Sequence, residues 1–390
     1  MLYLLLGAIT VVLSIVCSRS NTVEQCKQYL NLTLAVLFII WGFEYYNTVD
    51  YDVMLEKYNQ VVYGINIGNI IEIEPGCVLL FYLCSPFGNL FYYIVVALYE
   101  VLILRLFIIK YIPRKFFWLL IVLILFQFEY TTVLMTLKRQ ILAIFTSLLM
   151  VYVLLEKEHI WSLKKQILIA LLICFIAFNF HKAAIVTILF IPIWYISRLE
   201  IPNWILYLMV ALFFVQYFFD LGAYSEMFYN LIASQDDKFA HYALQIKDGG
   251  RETTVIHIAI EFFTFLGMLF SLKYCNKKEK FFIISGIVYL LFINYFVKDS
   301  GRILLPFGVC QLLAIPIMIS KIGKIDRILS LAACAMFVFI SVKSTYQVYT
   351  NPDRSSMTEG FKTFNLIIEA PSLQIDEPQK EKAKYLPYRL

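Results

Sequence analysis

Residues 74–88 read EPGCVLLFYLCSPFG, and the topology of the whole chain turns on them. Nine apolar residues, Gly76 to Cys84, stand between Pro75 and Pro86. A helix needs about 20 apolar residues to cross a bilayer, and proline discourages a helix from running on through either flank. The stretch is therefore read as a half-helix or interfacial hairpin that enters a membrane from one side and does not cross it.

The rest of the chain supplies the membrane. Of its 390 residues 61% are hydrophobic and 16% charged, more apolar surface than a soluble fold of this size can hide. The fold class is an all-α polytopic integral membrane protein. About 12 transmembrane helices are expected, near 1–17, 28–43, 88–109, 116–135, 139–155, 165–180, 182–198, 203–220, 254–272, 280–297, 302–320 and 326–343. The opening MLYLLLGAITVVLSIVC lacks a basic leading region and a small-residue cleavage site, and reads as a retained span. Eight scattered Cys without a CxxC pair or Cys/His cluster point to neither a disulfide framework nor a structural zinc site.

Lys and Arg set the orientation. The loops after spans 1, 3, 5, 7, 9 and 11 hold sixteen basic residues against six acids; the opposite side, up to the last span, holds nine against thirteen. The basic side is read as cytoplasmic, which places both termini outside the cytoplasm. Had Gly76–Cys84 crossed, every later basic loop would have faced outward. The outer side then carries the long segments 44–87 and 221–253, and a tail after residue 345 whose piece FKTFNLII (361–368) could lie flat on the membrane. Two regions follow: a membrane-embedded domain, 1–345, and an extracytoplasmic tail, 346–390.

Against this pattern, several cations sit in very short outer turns: Lys138 and Arg139 in TLKRQILA, Lys182 in FNFHKAAIV, and Lys298 and Arg302 in VKDSGRILLPF. Charge there is costly unless it meets water or a partner. Arg139, His181 and Arg302 each begin an inward-running span at the same outer face, where they could share a wet pocket. The alternative is snorkelling to headgroups, the first reading for Lys138, Lys182 and Lys298. Among the acids, Asp50 and Asp52 follow span 2, Glu74 stands at the mouth of the half-helix, and Asp299 adjoins Arg302; Glu56 reads as a solvated loop acid and Glu100 as a buried polar group. Tyr45, Tyr46, Tyr51, Tyr58 and Tyr63 crowd the first outer segment, fitting either an interfacial belt or stacking on sugar rings.

The succession VDYDVMLEKY (49–58), EPGCVLLFYL (74–83), KRQILA (138–143), FHKAAI (180–185) and DSGRILLPF (299–307) resembles the EpsG family of polysaccharide polymerases, relatives of the Wzy O-antigen polymerases, over roughly residues 1–345. It departs from the family at Glu44, where a basic residue is usual. The resemblance implies a membrane glycosyltransferase in the bacterial inner membrane. It would join oligosaccharide repeat units carried on undecaprenyl diphosphate, without a metal or other cofactor. Arg139, His181 and Arg302 become the catalytic candidates, with Asp50, Asp52, Glu74, Gln140, Lys182, Arg251 and Asp299 as substrate contacts. The partners implied are the lipid-linked oligosaccharide, membrane lipids and other polysaccharide export or assembly proteins, with no nucleic acid.

Rival readings are a transporter or flippase of the same lipid-linked sugars, a glycan ligase and a membrane acyltransferase. No two-half repeat typical of transporters is evident, and no nucleotide-binding glycine motif occurs.

Overall fold

The computed structural model describes residues 2–43, 49–64, 73–127, 134, 137–218, 255–293 and 303–350, with the backbone alone for 49–53, 217–218, 255–257 and 347–350. Among the described residues the fold is helical, without strands. Its helices are α1 (Leu2–Arg19), α2 (Val23–Gly42), α3 (Val49–Tyr63), α4 (Pro75–Cys84), α5 (Asn89–Tyr111), α6 (Phe117–Phe126), α7 (Lys138–Glu156), α8 (Leu163–Phe180), α9 (Phe190–Ile196), α10 (Asn203–Phe218), α11 (Val255–Ser271), α12 (Lys277–Phe292), α13 (Leu305–Ile322) and α14 (Arg327–Thr350).

Among the described residues six helices are long and apolar enough to cross a membrane: α1, α5, α7, α8, α13 and α14. The described parts of the other expected spans are mostly helical too, but fall short by that measure. The first half of α2 is polar, with Glu24, Gln25, Lys27 and Gln28. α6 stops after ten residues at Phe126, where Gln127 takes an extended backbone; α10 and α11 run directly up to residues outside the described set, and α12 ends one residue before them. The span expected at 182–198 differs in kind: Lys182–Leu189 is a 3₁₀ helix, followed by the seven-residue α9. That tighter winding carries poorer hydrogen bonds than an α-helix, and runs this long are uncommon.

The deciding stretch is the short helix the sequence requires. α4 has ten residues, so it rises about 15 Å, half of a bilayer core of about 30 Å. A 3₁₀ turn (Ser85–Phe87) and Gly88, at φ 83°, end it. Only glycine takes that left-handed backbone cheaply, so the chain reverses there into α5.

Two compact units emerge: residues 1–149, 175–182 and 332–390 form one, and residues 150–174 and 183–331 the other. In the first, α1 packs on α2 and α6, α2 on α5, and α4 between α3 and α5. Four rings tie that last group together. Tyr58 of α3 meets Phe81 of α4 at 5.5 Å, Phe81 meets Tyr92 of α5 at 4.9 Å, and Tyr92 meets Tyr93 at 5.4 Å, mostly edge to face. Each such pair adds about 0.5–1.5 kcal/mol beyond area burial. Tyr58 is fully buried, so for this residue the belt and sugar-stacking readings give way to a packing role, while Tyr63 is exposed; Tyr45, Tyr46 and the Tyr51 side chain lie outside the described residues. In the second unit α13 is enclosed almost throughout, with α11 and α12 against it. Ion pairs close one end of that unit: Lys278–Glu156 at 2.8 Å, Lys321–Glu279 at 2.6 Å and Arg198–Glu158 at 2.7 Å.

Candidate functional site

Glu74 is the last residue before α4. Pro75 opens the helix, where a missing N–H costs nothing and the fixed φ suits the turn. The Glu74 carbonyl accepts from the Cys77 and Val78 amides at 3.0 and 3.1 Å, while its carboxylate caps no amide of α4. The carboxylate instead accepts from Nη1 of Arg139 at 2.5 Å, 65 residues away in sequence. Both side chains are largely screened from solvent, Arg139 at 20% and Glu74 at 12% exposure. A hydrogen bond to a charged group in such a setting contributes about 1.5–3 kcal/mol.

His181 joins this pair from a third element. Its amide donates to the Ala177 carbonyl at 3.1 Å, which closes α8 just before the 3₁₀ helix begins. Its side chain is half-buried and acts electrostatically on the Glu74 carboxylate. α4 and the end of α8 meet closely. A Cβ on Gly76 would stand 2.8 Å from the Asn179 carbonyl oxygen and 3.0 Å from the Phe180 ring, and the Cys77 thiol donates to the Phe180 carbonyl at 3.4 Å. Glycine at 76 is what lets the backbone carrying Glu74 lie against the backbone carrying His181. Gly76→Ala is therefore expected to push α4 off α8 and to cost several degrees of melting temperature in detergent. An unchanged melt would refute the close approach, because backbone atoms, not a flexible side-chain tip, bar the methyl.

α7 begins against the usual electrostatic rule. Lys138 and Arg139 sit at the positive end of its dipole, with no acid in the first turn; such misplacement costs about 0.3–1 kcal/mol per cation. Each is compensated by another element. Arg139 has Glu74, and Lys138 Nζ donates to the Trp41 carbonyl of α2 at 3.1 Å. Lys138 is fully buried, which corrects its reading as a headgroup contact: an ammonium in a water-poor interior needs an acceptor, and the end of α2 offers one. Gln140 is also buried, and Lys182 is exposed.

Charge sets the roles these groups can take. Burial raises the Glu74 pKa, but the Arg139 guanidinium, the Glu74 amide and His181 together outweigh it and hold the carboxyl below its ordinary value. The group is thus a lasting anion and a weak base. The sign of its pH effect follows. The unfolded chain binds more protons just below the usual carboxylate range, so the pair's contribution is complete above the unfolded pKa and lost as pH falls through the folded one. The melting temperature of wild type is expected to fall more steeply with acidification below about pH 5 than that of Glu74→Gln. Parallel curves would show that the carboxylate is not held by the pair.

Arg139, His181 and Glu74 are brought together, with Gln140 next along α7. Arg251, Asp299 and Arg302 lie outside the described residues, as do the side chains of Asp50 and Asp52 on α3. Two buried cations were not placed at this site by the sequence reading. One is Lys138. The other is Lys57 of α3, 3% exposed, whose charge, like that of Arg139, acts on the Cys77 thiol in the first turn of α4. The signal for Lys57 was the Met54–Tyr58 spacing of four, which marks a buried helix face beside it. Glu56, expected in solvent, is buried on the same helix. Among the described residues no group of three His, Cys, Asp or Glu side chains is placed to hold a metal ion.

The sequence profile of the EpsG family matches residues 27–360. No match was found among curated proteins or among solved structures.

Proposed function

Since the chain belongs to the EpsG family of Wzy-like polysaccharide polymerases and glycosyltransferases, we propose that it is a polymerase acting at the outer face of the bacterial inner membrane. It transfers a growing glycan from undecaprenyl diphosphate to the terminal hydroxyl of a lipid-linked repeat unit. The observation that carries this reading is the meeting of Arg139, Glu74 and His181 at the mouth of a helix too short to cross the bilayer.

In the step, the bond between the anomeric carbon and the diphosphate oxygen breaks, and its electron pair leaves with the lipid diphosphate. A new C–O bond forms to the acceptor hydroxyl, whose proton passes to a base. Positive charge grows on the sugar and negative charge on the leaving group, so donors fixed at the diphosphate lower the barrier. Arg139 has a planar fork of five donors, and Glu74 accepts from Nη1 alone among them. The remaining N–H groups serve the diphosphate, and Arg302 is the second cation of this reading. Glu74, held as an anion, aims Arg139 and is poorly suited to take the hydroxyl proton. His181, whose imidazole type titrates between about pH 5 and 8, is the base. Asp50 and Asp52 bind sugar hydroxyls, and apolar grooves between helices take the polyprenyl tail.

Disrupting the gene tests the reading. The disrupted strain is expected to accumulate single repeat units on the lipid carrier at the outer face. Accumulation at the inner face would indicate a flippase instead.

A further inference from the structure

We propose that Lys138 is a positioning residue for Arg139, fixing the first turn of α7 between the end of α2 and the mouth of α4. The catalytic consequence rests on the polymerase reading; the geometric one does not. Leu137, which precedes α7 and whose carbonyl accepts from the Ile141 amide at 2.8 Å, has no side-chain oxygen to serve as a cap, and both residues that open the helix are cations placed against its dipole. Successive helix residues point about 100° apart, so neighbours 138 and 139 reach different elements. Lys138 reaches α2, at a carbonyl two residues before Phe43, where helix carbonyls lack intrahelical partners and the dipole is negative. Arg139 reaches α4.

The α2 end is itself firmly seated. A Cβ on Gly42 would touch Ala97 Cβ of α5 at 3.4 Å, and Trp41 is 1% exposed. The buried ammonium thus ties α7 to a rigid anchor on one side, and the guanidinium one residue on receives its aim toward Glu74. Displacement of a catalytic group by about 1 Å costs on the order of 10²-fold in rate, so the anchor controls the site without touching substrate.

The test is a double-mutant cycle on melting temperature in detergent. Coupling between Glu74→Gln and Arg139→Gln is measured in the wild-type and Lys138→Met backgrounds. The coupling is expected to fall by at least half when Lys138 is Met, and to survive in Lys138→Arg, which keeps a cation in reach of the Trp41 carbonyl. Undiminished coupling with Met would overturn the proposal, and so would loss of coupling with Arg. This readout involves no catalysis, so it stands even if the polymerase reading fails. In reconstituted vesicles, Lys138→Met is expected to lower polymer turnover per folded molecule more than tenfold, with Lys138→Arg recovering most of it. Full turnover with Met would equally reject the anchor.

Discussion

Arg139→Ala is expected to leave the protein inserted in the membrane while polymer falls to less than about a hundredth of wild type, since removing one donor to a developing anion costs about 10²–10³-fold. The argument is electrostatic. A diphosphate leaving group departs only if its charge is met. Arg139 is partly shielded from water and already oriented by Glu74, so little reorganisation is required at the moment of transfer. Arg139→Lys is expected to recover little, because an ammonium lacks the planar fork that binds Glu74 and phosphate together. On the proposed reading, in which Arg302 is the second cation, Arg302→Ala is expected to fail similarly. Long-chain polysaccharide of normal length in an Arg139→Ala strain, with the protein present at wild-type abundance, would remove this residue from the chemistry.

The second large effect is expected at His181. General-base contributions are about 10²–10⁴-fold, and the alternative carboxylate at the site is held ionised and weakly basic by Arg139. His181→Ala should therefore cut turnover by about 10²-fold or more. On the proposed reading, wild-type turnover is expected to rise with pH as a histidine base loses its proton, and the remaining activity of the variant is expected to lose that rise. A variant slowed by a factor constant at every pH would leave His181 as a diphosphate contact and return the base to another group.

Much of this was legible in the sequence, for identifiable reasons. The EPG stretch forced a short helix because prolines bracket nine apolar residues, and α4 is that helix. Arg139 and His181 stood out because charge at a tight outer turn is costly, and both reach Glu74 electrostatically. Lys138 was misread because linear sequence does not show the end of α2, nearly a hundred residues earlier, arriving to accept its hydrogen bond. Glu56 was misread, and Lys57 passed over, because polar and apolar residues are interleaved along α3 and do not mark which face is covered: Glu56 and Lys57 are buried together with Met54 and Tyr58. The 3₁₀ winding after His181 left no trace in a hydropathy pattern that any helix would satisfy.

The most direct test supplies purified protein in lipid vesicles with a labelled lipid-linked repeat unit as the only sugar source. Wild type is expected to convert it into a ladder of longer lipid-linked chains, releasing one undecaprenyl diphosphate per addition, and Arg139→Ala is expected to leave the label in single units. Labelled units that remain single with active wild-type protein, or that merely change leaflet, would contradict the account.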